Sequence, residues 1–144
     1  MRALALFMTL ALSLASRAAT AQETTPGFVV VVHPRNPVSS VDRKFLGDAF
    51  LKKVSRWGDD KAIRPVDATV RSPVRRRFTQ DVLKRSVASV KSYWQQVIFS
   101  GRDVPPPELA NDDEAVRYVT THPQSIGYVS GAARLGDAHV VTIR

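Results

Sequence analysis

The sequence contains no cysteine among its 144 residues. This absence excludes disulfide bonds, a cysteine nucleophile and a lipid anchor attached to cysteine. After the first 12 residues no apolar run approaches the ~20 residues that a membrane-spanning helix needs, so we predict no transmembrane segment in the mature chain. The three histidines, His33, His122 and His139, lack the short spacing of metal ligands, and we predict no metal or other cofactor.

Signatures of catalytic sites are scarce as well. There is no Gly-x-Ser-x-Gly nucleophile elbow, no phosphate-binding P-loop and no dinucleotide-binding glycine pattern. The acidic clusters at 59–60 and 112–114 lie in a polar turn and at a helix start, where carboxylates have structural or solvated roles. The sequence therefore predicts a protein without enzymatic activity.

The first 21 residues have the features of a secretory signal peptide. Arg2 supplies an early positive charge, an apolar run follows over 3–12, and small residues lead up to Ala21. We predict cleavage after Ala21, a flexible leader over 22–27 and a single domain over 28–144. The predicted location is the periplasm, and the sequence does not distinguish periplasmic residence from full secretion.

The formal net charge is +8 at pH 7, from 21 basic and 13 acidic residues. A basic surface favours anionic partners. Nucleic acid is the usual partner of a basic chain, but the predicted export and the lack of basic stripes interleaved with aromatic residues argue against it. Small anions, membrane surfaces and acidic proteins remain open as partners.

Hydrophobic periodicity predicts strands that alternate with helices. The β-branched run at 28–33 is typical of a strand buried on both faces, and Pro65 places a strand over 62–66 at a sheet edge or a strand end. Ser39 and Asp42 form the pattern of a capping box before the first helix. Further helices are predicted over 73–85, 87–99 and after a cap at Asn111, and further strands over 126–129 and 138–143. The predicted fold class is α/β, with a central mixed sheet flanked by helices.

The loop before the helix at 73–85 is the most informative stretch. Ser72 suits an N-cap and Pro73 the first turn, while Arg71 and Arg75 add positive charge to a helix start that already presents free N–H groups. These residues predict an anion-binding loop, although exposed arginines are more often ordinary solvated surface. His33 ends the first strand, where ligand crevices occur in open α/β sheets, and is a further candidate contact. The alternative for His33 is a plain loop residue.

A series of short motifs follows a familiar order along the chain. It consists of Asn36-Pro37-Val38, the segment 45–51, Lys53, Trp57, Ser72-x-x-Arg75-x-x-Phe78 and the segment SIGYV at 125–129. Over about 28–131 this order resembles the second lobe of the phosphate-type periplasmic binding proteins, the substrate-binding proteins of phosphate ABC transporters. The resemblance implies a single lobe of the type 2 periplasmic-binding-protein fold, phosphate or another small anion as ligand, and Ser72 and Arg75 as contacts. A membrane transporter or a sensor component is the implied protein partner.

The chain departs from the family pattern within this loop. Pro73 and Val74 stand where the family has glycine and threonine, so one backbone N–H and one hydroxyl donor are absent. Asp67 and Ala68 stand where the family has an arginine, and Arg71 is the candidate substitute. Two hypotheses follow: an exported solute-binding protein that binds an anion, or an interaction or sensory module that keeps the lobe fold without a ligand. A homodimer that brings two of these loops together is compatible with either.

Overall fold

The computed structural model describes residues 27–144. The predicted signal peptide, its cleavage site after Ala21 and the leader residues 22–26 lie outside the described residues. Strands and helices alternate along most of this range, which confirms the predicted α/β class, and none of the described helices has the length and apolar character needed to cross a bilayer. In chain order the elements are β1 (Val29–Val32), β2 (Ser40–Val41), α1 (Arg43–Phe50), β3 (Arg64–Pro65), β4 (Asp67–Ala68), α2 (Pro73–Asp81), α3 (Val87–Phe99), β5 (Glu108–Leu109), α4 (Asp112–Thr121), β6 (Ser125–Val129) and β7 (His139–Ile143).

Five strands form a mixed sheet in the order β2-β7-β1-β6-β3. The central strand β1 runs antiparallel to both of its neighbours, whereas β2 is parallel to β7 and β3 is parallel to β6. Pro65 lies in β3, at the edge of the sheet, as its missing N–H predicts. The predicted central mixed sheet is therefore confirmed.

The unbroken apolar run of β1 is explained by helices on both faces of the sheet. Side chains alternate across a strand, so Val30 and Val32 enter one core together with Phe78 of α2, while Val31 enters a second core with Val119 of α4. All four valine side chains of these two sets are essentially inaccessible to solvent. Helix α3 packs beside α2, and its Val90, Trp94 and Val97 form a third, smaller cluster against which Leu83 packs.

The first helix begins without the capping box that its sequence predicts. Ser39 instead directly precedes β2, and its carbonyl oxygen accepts a hydrogen bond of 2.9 Å from the backbone N–H of Thr142 in β7. Residues 40–41 then pair with β7, and the helix starts at Arg43 with Asp42 as an N-cap whose side chain makes no capping hydrogen bond. Pairing with the last strand thus displaces a local pattern that depended on the serine.

Helix α2 is shorter than predicted. It ends at Asp81 rather than near Arg85. Lys84 has a φ of +54°, the left-handed conformation that closes many helices, although glycine usually occupies such a position. The sequence does not show this end, because no glycine marks it and the apolar residues Val82 and Leu83 continue the helical period beyond the last helical residue.

A second, two-stranded sheet was not predicted from the sequence. Residues 108–109 form β5, which pairs in parallel with β4, and Asp67 donates its backbone N–H to the carbonyl oxygen of Pro107 at 2.9 Å. The sequence predicts only a stiff connector here, because three consecutive prolines precede Glu108. The connector thus places Glu108 beside β4, the strand that precedes the α2 helix.

Candidate anion-binding site

The α2 start, residues 71–75, follows β4 directly and forms the predicted strand-loop-helix. Ser72 is the N-cap, with extended backbone angles of −66° and 129°, and Pro73 occupies the first turn. The Ser72 hydroxyl makes no capping hydrogen bond, and the backbone N–H groups of Val74 and Arg75 have no acceptor among residues 27–144. Arg71 is exposed and Ser72 is half-buried. This helix start therefore presents free donors and a cationic side chain next to solvent.

The Arg75 guanidinium is turned inward, toward β4 and β5, and the residue is only 5% exposed. Its Nη1 atom lies 2.9 Å from Asp67 Oδ2, 2.5 Å from the carbonyl oxygen of Ala68 and 3.5 Å from Glu108 Oε1. The Nε atom is buried and has no hydrogen-bond partner among the described residues. Arg75 thus joins the α2 start to the small sheet through an internal ion pair.

Asp67 is held on both of its carboxylate oxygens. Oδ1 accepts a short hydrogen bond from the Tyr128 hydroxyl and a second, of 3.0 Å, from the backbone N–H of Ala68, while Oδ2 faces Arg75. Tyr128 lies in β6 and stacks on Phe78, with 3.8 Å between ring centroids. A carboxylate that would repel a bound anion in isolation is here neutralised by the neighbouring guanidinium.

Burial raises the pKa of Asp67 to about 6, although the Arg75 charge and the Tyr128 hydroxyl both act to lower it. The same low-dielectric surroundings, together with the Asp67 charge, raise the pKa of Tyr128 above its ordinary value. Tyr128 therefore remains a neutral donor, and Asp67 is the group of this cluster that changes charge near neutral pH.

Gly127 allows β6 to come close to the segment that carries Asp67. A Cβ atom at this position would lie 3.0 Å from Val66 Cγ2 and 3.4 Å from Val119 Cγ1, which is tighter than ordinary van der Waals contact. The absence of a side chain here lets the neighbouring Tyr128 reach Asp67. The sequence does not predict the contact of Tyr128 with Asp67 or that of Glu108 with Arg75, because each spans a long sequence separation.

His33 is at the opposite end of the sheet from the α2 start. In the antiparallel pair, Val32 lies opposite Ile126 and Val29 opposite Val129, so the end of β1 and the end of β6 point in opposite directions. The α2 start shares its groove with the end of β6, whereas His33 lines a separate groove of about 370 Å³ beside Trp57. Arg71, Ser72 and Arg75 lie in one short segment, but the Arg75 guanidinium faces β4 and β5 rather than solvent, and His33 lies in the separate groove.

Trp57 packs into the fold. The residue is 6% exposed, and its indole N–H donates to the carbonyl oxygen of Gln124 at 3.4 Å. Its ring also packs against Phe45, with 5.9 Å between the ring centroids. Within residues 27–144 no group of three or more histidine, aspartate or glutamate side chains is arranged to hold a metal ion.

Comparison of the sequence with family models and with curated proteins gives no match. Comparison of the structure with solved structures gives several matches. An ABC-type phosphate transport receptor from Vibrio cholerae matches with a TM-score of 0.64 at 16% identity, over 81% of this chain and 46% of that protein. A putative phosphate ABC transporter substrate-binding protein with bound phosphate, from Clostridium perfringens, matches with a TM-score of 0.61 at 18% identity, over 81% and 44%.

A possible phosphate-binding protein from Planctomyces limnophilus matches with a TM-score of 0.58 at 21% identity, over 82% of this chain and 41% of that protein. The chain therefore spans about half the length of the solved structures that it resembles. These identities are low, so the likeness establishes the fold rather than the ligand. The described chain has the α/β fold of a single lobe of the phosphate ABC transporter substrate-binding proteins, which confirms the fold that its ordered motifs predict.

Proposed function

We propose that this protein is a non-catalytic solute-binding protein that binds phosphate or another small oxyanion at the α2 start. The observation that carries the proposal is the set of unused donors at this helix start, within a fold shared with phosphate-binding proteins. Helix N-termini bind oxyanions because their N–H groups and the helix dipole both favour negative charge. The domain over 28–144 would carry this function.

An oxyanion at this position would accept hydrogen bonds from the Ser72 hydroxyl and from the backbone N–H groups of Val74 and Arg75. Arg71, which is exposed, would add a favourable charge. Pro73 contributes no N–H, so this loop offers fewer donors than a glycine-containing one. We therefore expect modest affinity, because one lobe contacts an anion from one side only.

The second candidate function is a protein-interaction or sensory module that keeps the lobe fold without binding a solute. The internal ion pair favours it, because Asp67 already neutralises Arg75. The basic side chains that remain exposed near the α2 start, Arg71, Arg76 and Arg77, would then dock an acidic surface of a transporter or sensor component.

We also propose that the protein is exported to the periplasm and acts with a membrane transporter or sensor component. The N-terminal pattern and the description of the structural neighbours as ABC transport proteins support this proposal. A homodimer that pairs two α2 starts would complete the contacts around an anion, and sedimentation at increasing protein concentration with and without phosphate tests it.

A thermal-shift titration with phosphate, sulfate and chloride at matched ionic strength tests the anion-binding proposal. A ligand that binds only the folded state stabilises it by about 2.7 kcal/mol at a hundredfold excess over Kd, so a saturable, phosphate-dependent rise in Tm is expected. Arg71→Ala and Ser72→Ala should reduce this rise. Arg117→Ala removes an exposed arginine from α4 and controls for net charge, and it should leave the rise unchanged.

The absence of a selective rise up to millimolar phosphate, or an equal loss in Arg117→Ala, would contradict anion binding at the α2 start. A pull-down with membrane proteins from the organism that produces this protein would then test the interaction module. The triple variant Arg71→Ala, Arg76→Ala, Arg77→Ala is expected to lose the partner.

A further inference from the structure

The buried pair of Asp67 and Arg75 places a carboxylate inside the fold, next to the proposed anion site. The side chains are 9% and 6% exposed, so solvent and salt screen their interaction weakly. Arg75 belongs to the first turn of α2, and its backbone N–H is one of the free donors of the α2 start. The net charge of this pair therefore contributes to the electrostatic potential at the place where the external oxyanion would bind.

The guanidinium is engaged through one nitrogen. Nη1 makes all of its contacts with Asp67, Ala68 and Glu108, whereas Nε is buried without a partner among residues 27–144. An arginine presents five N–H donors in a planar fork that suits carboxylate and phosphate oxygens. The donor capacity of Arg75 is thus incompletely used by its internal partners.

Three charged or titratable groups face Asp67, one from each element packed against it. Arg75 comes from α2, Tyr128 from β6 and Glu108 from β5. Tyr128 is neutral, and the Glu108 side chain is 44% exposed. Glu108 is thus the weaker, solvent-screened partner of Arg75, and the protonation of Asp67 decides whether the arginine keeps its buried anionic partner.

We propose that Asp67 acts as an internal competitor for Arg75, so that the α2 start binds an external oxyanion more tightly when Asp67 is protonated. This inference rests on the proposed anion-binding function and adds its regulation. With Asp67 ionised, a second anion meets a neutral pair. With Asp67 neutral, more of the positive charge of Arg75 is available to the oxyanion, because the other nearby carboxylate, Glu108, is 3.5 Å from Nη1 and 44% exposed, where solvent screens its interaction.

Binding of the oxyanion is coupled to the uptake of a proton. An oxyanion that binds near neutral pH draws one proton from solvent onto an Asp67 oxygen, and its release returns that proton. Binding and protonation are reciprocal, so the oxyanion must also raise the pKa of Asp67. The buried position already places that pKa at about 6, within reach of mild acid.

Isothermal titration with sulfate at pH 5.0 and 7.5 and constant ionic strength tests the proposal, because sulfate remains a dianion over this range. If only the protonated form binds, affinity should be about 30-fold higher at pH 5.0 for a group with this pKa. Titrations at pH 7.5 in buffers of different ionisation enthalpy should report the uptake of up to one proton per sulfate.

Asp67→Asn should bind sulfate equally well at both pH values, with the affinity of the unsubstituted protein in acid. Glu108→Gln is the matched control, because it removes the other carboxylate near Arg75, and it should keep the pH dependence. Tyr128→Phe removes a hydrogen bond that lowers the pKa of Asp67, so it should move the midpoint of the pH dependence upward. If Asp67→Asn does not fold, this milder variant tests whether Asp67 sets the pH dependence of sulfate binding.

Equal sulfate affinity at both pH values in the unsubstituted protein would overturn the competition by Asp67 and leave the anion-binding function standing. A pH dependence that persists unchanged in Asp67→Asn, or an unmoved midpoint in Tyr128→Phe, would overturn it as well. If neither the unsubstituted protein nor a folded Asp67→Asn variant bound sulfate or phosphate at either pH, the proposed function would fail and this inference with it.

Discussion

Asp67 Oδ2 and Arg75 Nη1 are 2.9 Å apart in a pair from which solvent is almost excluded. Asp67 lies in β4, which precedes the α2 start, and the Arg75 side chain extends back to it from the first helical turn. Two charges that would each be costly to bury alone are thus buried together. The pair joins the two ends of the loop between them.

Removal of Arg75 should destabilise the fold strongly at neutral pH. Arg75→Ala leaves Asp67 buried without its partner, and the expected loss is about 3–5 kcal/mol in the free energy of unfolding. Urea unfolding at pH 7.5 measures it. The double variant with Asp67→Asn should recover much of the loss, because no unpaired charge remains. Strictly additive losses in the double variant would contradict the coupling.

Stability should fall as pH rises from about 4 to about 6. The pKa of Asp67 is about 6 in the folded protein and 3.8 when unperturbed, so the folded state holds the proton over this range while the unfolded state releases it. The expected contribution is roughly 3 kcal/mol, present below pH 4 and lost above pH 6. Urea unfolding across this range should show the decrease in the unsubstituted protein. Asp67→Asn should lack this component, and the same decrease in that variant would assign it to other groups.

The two serine N-caps should differ in their contribution to stability. The Ser86 side chain accepts a hydrogen bond of 3.1 Å from the Ser89 backbone N–H, so Ser86→Ala should cost about 1 kcal/mol. The Ser72 hydroxyl makes no such bond, and Ser72→Ala should cost less than about 0.5 kcal/mol. Thermal unfolding without anions compares the two variants directly. A larger cost for Ser72→Ala would mean that the hydroxyl is engaged in the fold.

Gly127→Ala should strain the contact between β6 and Val66. The added methyl group would meet Val66 Cγ2 at 3.0 Å in a buried strand, and overpacking of this kind costs about 1–3 kcal/mol. Val66→Ala in the same chain should relieve part of the loss. Gly58→Ala is the control, since nothing lies within 4 Å of a Cβ at that position, and it should have little effect. Chemical denaturation of these three variants and the unsubstituted protein provides the comparison.

Local sequence patterns predict the elements of this fold well where one periodicity dominates. The valines of β1 alternate between two cores, and the apolar stripe of α3 gives its bounds of 87–99 correctly. Pro65 marks an edge strand because an amide without hydrogen cannot join a central ladder. The capping pattern at Ser39 fails because pairing with β7, a partner distant in sequence, competes for the same residues.

The candidate site is less predictable than the fold because its partners meet across long sequence distances. Asp67 and Tyr128 are 61 positions apart, and Arg75 and Glu108 are 33 apart. The sequence indicates a cationic helix start, which the structure contains. It does not reveal that Arg75 turns away from solvent, since that depends on a proline-rich connector that brings β5 to β4.

The position of β1 also constrains the order in which the chain can fold. This first strand pairs with β6 and β7, the last two strands of the described chain. The centre of the sheet therefore cannot form until residues 125–143 have been synthesised and have left the ribosome. Until then the valines of β1 remain uncovered, which leaves a time window in which a chaperone can engage an extended, unpaired segment.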